Sequence, residues 1–203
     1  MLDLSPSSRL RPEQQGFTLI ELLMVIAVIL ILAGITFGIS RGVQNAQARA
    51  KAKAELATIS QAIEQFKSVN GDYPWTNDVE GEDPSIVLSK SLLGWKEFVS
   101  SGNTTTFQDK TSVPTSGPEG FIDATKLSIN GTLPTGATKP TNVEFTDPWG
   151  NEYLYLYKEN ASWDNFGYVL YSKGPDGSSE TVPDTGIRPA VTGKDVDNIY
   201  AGE

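Results

Sequence analysis

The sequence contains no cysteine and no histidine among its 203 residues. The absence of cysteine excludes disulfides, a thiolate nucleophile and cysteine-ligated zinc. The absence of histidine removes the usual acid–base group at neutral pH and the commonest metal ligand. Metal sites made of oxygen ligands and chemistry by paired carboxylates remain open, and most classes of enzyme are disfavoured.

Basic side chains are scarce in the C-terminal two thirds of the chain. Residues 68–203 carry 9 Lys and Arg side chains against 20 Asp and Glu side chains. Residues 40–67 are basic instead, with five cations and two acids. An acidic globular part disfavours binding to a phosphate backbone, so no nucleic-acid partner is expected. The basic segment suits lipid headgroups or acidic neighbours.

Long apolar runs are absent except near the N-terminus, where residues 22–39 carry no charge. This length is at the lower edge for a transmembrane helix and exceeds most signal-peptide cores. A short polar leader ends at Gly16, and one acid, Glu21, lies at the start of the run. The carboxylate either extends to the headgroups or needs a cation, because a charge at mid-bilayer costs roughly 2.5–3.5 kcal/mol on insertion scales. The residues alone leave both interpretations open.

The stretch Gly16-Phe17-Thr18-Leu19-Ile20-Glu21 before the apolar run resembles the processing site of type IV pilin-like proteins. This family includes type IV pilins and type II secretion pseudopilins. The resemblance implies that a prepilin peptidase cuts between Gly16 and Phe17 and that the new N-terminal Phe17 is methylated. It also implies that the Phe17 amine of one subunit is the cation that Glu21 of its neighbour needs. A buried pair completed only by the next subunit favours the correct stagger.

Helix-forming residues continue beyond the apolar run up to Asn70-Gly71, a typical C-terminal stop. We therefore predict a single helix over residues 17–70. Apolar residues recur at helical spacing along one face of its second half: Leu56, Ile59, Ile63 and Phe66.

Gly34, Gly38 and Gly42 repeat every four residues in this helix. They form either a close-approach face for neighbouring helices or a weak stretch that extends on assembly, because each costs about 1 kcal/mol in a helix. Many members of the family carry a helix-breaking proline near Gly38, which this chain lacks. We favour the packing role.

Shorter elements follow the helix. A short helix is predicted at about residues 84–93, and residues 95–146 are interpreted as a long irregular insertion, either a variable surface loop or a contact for subunits or substrate. Aromatic alternation in residues 152–172, after the turn Asp147-Pro148-Trp149-Gly150, predicts antiparallel strands. This layout is similar to that of the major pseudopilins of type II secretion systems.

The predicted fold class is α+β with the type IV pilin fold, in which one long N-terminal helix packs on a small antiparallel sheet. The expected organisation is a removable leader at 1–16, a helix at 17–70 and a globular head at 71–203. The helix divides into a transmembrane or filament-core half at 17–39 and an amphipathic half at 40–70.

The C-terminal segment, residues 173–203, is acidic and has little apolar content. It is either a solvated tail or a calcium site, since calcium takes 6–8 oxygen ligands at about 2.3–2.6 Å. Major pseudopilins end in a calcium-stapled loop. The resemblance to them implies ligands at four positions of this chain: Asp176, Asp195, Asp197 and Asn198.

The resemblance implies a structural subunit rather than an enzyme. The expected protein is a single-pass prepilin of the bacterial inner membrane, with a cytoplasmic N-terminus and a periplasmic head, that polymerises into the periplasmic pseudopilus of a type II secretion system. A type IV pilin of a surface pilus for adhesion, motility or DNA uptake is the alternative. The implied partners are further copies of the chain, prepilin peptidase, the inner-membrane assembly platform, minor pseudopilins and, before assembly, membrane lipid.

A membrane-anchored periplasmic enzyme is a hypothesis from a different class. Its candidate general acids and bases are the pairs Asp147 with Glu152 and Asp195 with Asp197. Each acid is also explained as a turn former or a metal ligand, and nothing in the sequence places two of them across a cleft. An enzyme is therefore not expected.

Overall fold

The computed structural model describes residues 16–77, 81–188 and 190–202, with residues 36–41 as helical backbone only. Apart from Gly16, the predicted leader lies outside the described residues. The chain divides into two compact units, the first ending at Gln44 and the second beginning at Asn45.

Helix α1 spans Leu19–Asn70. It ends before Gly71, whose φ of 90° is a left-handed conformation that glycine adopts at little cost. In the second unit, one face of α1 is buried at the spacing that the sequence predicts. Its residues are at most 3% exposed: Ala52, Leu56, Ile59, Ala62, Ile63 and Phe66.

Helix α2 spans Pro84–Leu92, and the Asp83 carboxylate caps it by accepting the Ser85 N–H at 2.9 Å. The strands of the described residues are β1 Lys96–Ser101, β2 Thr104–Asp109, β3 Ser128–Asn130, β4 Glu144–Thr146, β5 Leu154–Leu156, β6 Val169–Ser172 and β7 Ile199–Tyr200. Single 3-10 turns occupy Ala124–Lys126 and Gly193–Asp195.

All strand pairs in the described residues are antiparallel: β1 with β2, β3 with β4, and β5–β6–β7 in that order. One long helix with small antiparallel sheets confirms the predicted α+β class. The insertion at 95–146 is more regular than predicted, because it holds two pairs of strands.

The β1–β2 hairpin is ordered by aromatic packing on α1. Phe98 and Phe107 lie opposite each other in the hairpin register. Both rings meet Phe66 of α1 edge-on at centroid distances of 6.2 Å, and Phe121 does so at 5.2 Å. Such pairs contribute about 0.5–1.5 kcal/mol each beyond area burial. The composition of the insertion concealed this order, because the contacts come from residues far apart in sequence.

A buried ionic cluster joins α2 to the same hairpin. The Lys96 side chain is 1% exposed and pairs with Glu82 Oε2 at 2.9 Å and Asp109 Oδ1 at 3.0 Å. Lys90 of α2 pairs with the same two carboxylates, and Lys139 pairs with Asp109 at 2.6 Å. Lys96, the most buried member of the cluster, thus has its charge compensated by two carboxylates at once, as a buried charge requires.

Asp72, just after α1, fastens the end of the helix to the connection between β5 and β6. Its carboxylate accepts four hydrogen bonds: from the Tyr73 N–H at 2.9 Å, Trp75 Nε1 at 2.9 Å, the Tyr157 hydroxyl at 2.8 Å and Lys158 Nζ at 2.6 Å. Burial alone would raise the pKa of Asp72, but these hydrogen bonds lower it below its ordinary value of about 3.8.

Lys158 keeps an unusual backbone conformation in this cluster, with a φ of 49°. Its ammonium lies 5.3 Å from the Trp75 ring centroid and 5.0 Å from that of Tyr157. The ion pair with Asp72 and these cation–π contacts stabilise a conformation that a non-glycine residue rarely adopts.

We predict that Asp72→Asn lowers the stability of the full chain in detergent by about 1 kcal/mol at pH 7, because the charge-assisted bonds are lost and the site is partly exposed. A carboxylate with a lowered pKa in the folded state contributes stability above its ordinary pKa and loses it as the pH falls through the lowered value. The difference in Tm between wild type and variant should therefore shrink below pH 3.8. Asp164→Asn, an exposed acid, is the control, and an unchanged difference at low pH contradicts the assignment.

Candidate functional site

The N-terminal site is built on the first turn of α1. Glu21 Oε2 accepts the Thr18 N–H at 2.9 Å and the Thr18 hydroxyl at 2.7 Å, and Thr18 Oγ1 accepts the Glu21 N–H at 3.3 Å. This reciprocal pair is a capping box, which satisfies backbone donors that the first turn leaves free. Thr18 was not among the predicted site residues, although the Thr-x-x-Glu spacing signals this role.

The predicted processing residues lie beside this cap, outside regular structure. Gly16 and Phe17 precede α1, and the Phe17 side chain is 80% exposed. A Cβ built at Gly16 meets no atom within 4 Å, so packing within the described chain does not require glycine there. Within the described residues, Gly16 and Phe17 are both exposed.

The apolar residues that follow are exposed in the single chain. The large apolar side chains from Leu19 to Ile35 are between 48% and 82% exposed. A run of this kind is covered by protein or by lipid in use. Among the residues whose side chains are described, no helix combines the length and the apolarity needed to cross a membrane. The last four residues of the predicted membrane segment 17–39 are described as backbone only.

Two of the three predicted packing glycines face open space. A Cβ built at Gly34 or at Gly42 meets no atom within 4 Å. Gly38 falls in the part of α1 that is described as backbone only. Steric crowding within the described chain therefore gives no reason for glycine at Gly34 and Gly42.

The C-terminal loop brings two of the predicted calcium ligands together. Asp195 is 1% exposed, and its Oδ1 accepts the Glu180 N–H at 2.9 Å and Asn198 Nδ2 at 2.7 Å. Asp195 Oδ2 and Asn198 Oδ1 are buried and have no hydrogen-bond partner. Two buried oxygen atoms without donors are costly unless a cation or a donor satisfies them.

The other two predicted ligands contact the loop differently. Asp197 Oδ2 accepts the Asp176 N–H at 3.2 Å, whereas the Asp176 carboxylate accepts the Ser178 N–H at 2.8 Å and is exposed. The Asp197 carbonyl accepts Arg49 Nη2 at 2.8 Å. Arg49, which was not among the predicted site residues, thus links α1 to this loop.

The two unpartnered atoms, Asp195 Oδ2 and Asn198 Oδ1, are suitable ligands for a hard cation. Both unpartnered atoms are oxygens, the ligand type that calcium prefers. Burial chiefly raises the pKa values of Tyr171 and Tyr200, and the negative charge of Asp195 raises them further. Within the described residues, no three acidic side chains come close enough together to hold a metal ion. At most two acidic side chains of the described residues could therefore share one ion, and the remaining ligands would be backbone carbonyls, amide side chains or water.

A second hydrogen-bonded turn supports this loop. Buried Asp147 accepts the N–H groups of Trp149 at 3.0 Å and Asn151 at 2.9 Å, and the Ser172 hydroxyl at 2.6 Å. Asn151 Nδ2 donates to the Gly174 carbonyl at 2.9 Å. Gly174 has a φ of 69°, and a Cβ there would lie 2.5 Å from the Asp197 carbonyl oxygen. The two glycine-containing turns are the sequence signal for this arrangement.

The acids considered for an enzyme have structural partners. Asp147 is fully occupied by the turn, and Glu152 pairs with Lys173 at 2.5 Å. Asp195 and Asp197 accept backbone N–H groups within the C-terminal loop. Each of these carboxylates has a structural role of its own.

Comparison with known proteins agrees with the N-terminal geometry. Residues 11–37 match the family model described as the prokaryotic N-terminal methylation motif. The chain is 26% identical over 176 residues to the type II secretion system core protein G of Escherichia coli (strain K12), an alignment that covers 87% of this chain and 92% of that protein. No solved structure matches the chain significantly.

These matches confirm the predicted resemblance. The chain carries the N-methylation motif of type IV pilin-like proteins, and Gly16, Phe17 and Glu21 all lie within it. Its α+β architecture, an N-terminal helix with small antiparallel sheets, is consistent with the type IV pilin fold. The motif and the similarity support a pilin-like subunit.

Proposed function

We propose that this chain is the repeating subunit of a helical periplasmic filament, the pseudopilus of a type II secretion system. The observation that carries the proposal is the methylation motif at residues 11–37. In this motif, the Glu21 carboxylate forms a capping box with Thr18 at the start of an exposed apolar helix. Similarity to a protein named type II secretion system core protein G supports this choice of system.

Processing prepares the chain for assembly. Prepilin peptidase cleaves after Gly16, and Phe17 becomes the methylated N-terminus. The exposure of Phe17 and the open space around Gly16 support cleavage at this bond. The free amine at Phe17 gives every copy a cation near the start of its apolar helix.

The proposed filament contact pairs that cation with the carboxylate of another copy. In the single chain, Glu21 accepts hydrogen bonds from Thr18. When apolar helices leave the lipid and pack together, a carboxylate without a cation is costly, by roughly 2.5–3.5 kcal/mol on membrane insertion scales. The Phe17 amine of the neighbour neutralises Glu21 only at the correct stagger, so the pair also selects the register.

The remaining partners follow from this assembly. The chain starts as a single-pass protein of the bacterial inner membrane, in contact with lipid, with its N-terminus in the cytoplasm and its head in the periplasm. It then joins further copies and minor pseudopilins at an inner-membrane assembly platform. Gly34, Gly38 and Gly42 are the proposed close-approach positions between apolar helices.

A surface type IV pilus is the second candidate. The observation that favours it is the insertion at residues 95–146, which holds two strand pairs, the first of them with several exposed residues. In such a filament the chain would serve adhesion, motility or DNA uptake.

We predict that both Glu21→Ala and Glu21→Gln abolish filament assembly in cells that carry the assembly machinery. Glutamine keeps a capping-box acceptor but has no charge, so its failure would assign the role to the charge. The measurement is the amount of crosslinked multimer in the envelope and in sheared material. Exposed Glu119→Ala is the matched control.

The outcomes separate the candidate functions. Multimer confined to the envelope supports a pseudopilus, and multimer in sheared filaments supports a surface pilus instead. Normal assembly of Glu21→Gln would reduce Glu21 to a helix cap and contradict the proposed pairing.

We also propose that calcium binds at the C-terminal loop. Asp195 and Asn198 would hold the ion through their buried, unpartnered oxygens. Asp197, two residues from Asp195, and Asp176, whose N–H donates to Asp197 Oδ2, are the further candidate ligands. The ion would supply positive charge to a buried carboxylate. Arg49 and the Asp147 turn position the loop for it. In a chain without cysteine, this ion would fasten the C-terminal loop to the sheet as a disulfide does elsewhere.

We predict that calcium raises the Tm of the full chain in detergent. The stabilisation should approach about 2.7 kcal/mol when calcium exceeds its Kd a hundredfold. Asp195→Asn should remove most of the shift, whereas Asp184→Asn, an exposed acid of the same segment, should keep it. The absence of any calcium-dependent shift in the wild-type protein would contradict the site.

A further inference from the structure

A pair of exposed apolar side chains marks one surface of the second unit. Phe166 is 100% exposed and Ile187 is 58% exposed. They lie on two loops, residues 163–167 and 184–188, which we call the double loop. A fully exposed phenylalanine next to a second apolar residue is a common feature of contact surfaces.

The double loop is held in place by its own hydrogen bonds. The Thr185 carbonyl accepts the N–H groups of Asp164 at 2.9 Å and Asn165 at 3.2 Å. Asn165 Nδ2 donates to the Gly186 carbonyl at 3.0 Å. The Trp163 ring packs against Gly186 so closely that a Cβ there would lie 2.5 Å from it. Phe166 is therefore presented by a fixed backbone, which lowers the entropic cost of binding.

A groove of about 610 Å³ lies between this double loop and α1. Its lining includes Ala57, Gln61 and Glu64 of α1 and Asn165 and Arg188 of the double loop, and residues 168–170 and 200–202 also line it. Phe166 directly follows Asn165, one of the lining residues, along the double loop.

The charge of this surface is predominantly negative. Glu64 lies in the groove wall, and Asp164 and Asp184 are exposed on the double loop. The Arg188 guanidinium stacks on the Tyr200 ring at 3.7 Å. Burial, and then the nearby Asp184 carboxylate, raise the pKa of Glu159 beside the loop. A partner for this surface would bring a cation and enough small apolar surface to receive an aromatic ring.

We propose that the groove and the double loop receive the exposed face of α1 around Lys53 from a second copy of this chain. That face combines Lys53 with Ala50, one turn earlier, and Ala46, two turns earlier, and all three residues are exposed. In the described part of the chain, Lys53 has no hydrogen-bond or ion-pair partner. Small residues let the Phe166 ring approach the helix backbone, and Lys53 reaches the acids of the rim.

The two surfaces are at different levels of α1, which suits a filament. The groove lies beside residues 57–64 and the face that enters it lies at residues 46–53. Docking displaces each copy along α1 relative to the last, and a contact between two different surfaces propagates as an open array when it does not close into a ring. This inference rests on the proposed polymerisation and specifies which head surface meets which part of the next helix.

The test is a crosslinking experiment between introduced cysteines, which is specific because the sequence contains no native cysteine. Cells with the assembly machinery co-express two full-length copies, one with Gln61→Cys in the groove and the other with Ala50→Cys on α1. A short bismaleimide should link the two copies. Asn103→Cys, at the exposed turn between β1 and β2, replaces Gln61→Cys as the control and should not link to Ala50→Cys.

Further substitutions ask whether the aromatic anchor and the charges carry the contact. Phe166→Ala should lower the yield of the Gln61–Ala50 link about tenfold, as expected for an interface anchor. Lys53→Glu should also lower it, and Asp184→Lys in the other copy should restore part of the loss. All of these positions are exposed, so the folded state should tolerate the changes.

The outcomes distinguish this inference from the proposed function. Multimers that form normally without a Gln61–Ala50 link, or with a link that Phe166→Ala leaves unchanged, overturn the docking surface but leave the filament intact. A link from Gln61→Cys to a different protein also overturns it. The absence of any multimer of the wild-type chain overturns the filament and the docking surface together.

Discussion

The second unit depends on one contact, the burial of a single face of α1 against the sheets. Leu56, Ile59 and Ile63 are essentially inaccessible to solvent, and fully burying an aliphatic side chain is worth about 1.5–3 kcal/mol. Phe66 extends the same face into the β1–β2 hairpin. The hydrogen bonds of Asp72 tie the end of α1 to the connection between β5 and β6. The Arg49 hydrogen bond ties α1 to the C-terminal loop. Both contacts add to the burial of this face of α1.

The first unit has the opposite character. Among the described residues, its large apolar side chains are exposed along the helix and none belongs to the buried core. The capping box at Thr18 and Glu21 fixes the beginning of this helix and leaves the carboxylate at its surface. The two parts of α1 thus differ in what they require. One is satisfied within the chain, and the other needs lipid or further copies, which is the physical basis of the proposed assembly.

Sequence periodicity predicted the buried face of α1 because a local spacing of three to four residues determines it. The α+β class and the resemblance at Gly16, Phe17 and Glu21 were likewise visible in short, local patterns. The β1–β2 hairpin of the insertion was not, because Phe98 and Phe107 pack on Phe66, which is distant in sequence. The bond between Arg49 and Asp197 joins residues 148 positions apart, and the buried, unpartnered oxygen of Asp195 results from tertiary packing. Local patterns carry neither kind of information.

The proposed filament contact requires a processed subunit whose N-terminus is Phe17. The most direct measurement is the intact mass of the protein isolated from the envelope of its native cells. The account predicts the mass of a chain from Phe17 to Glu203 with one methyl group on its N-terminus. A chain that still contains Gly16, or that begins at Met1, would contradict it.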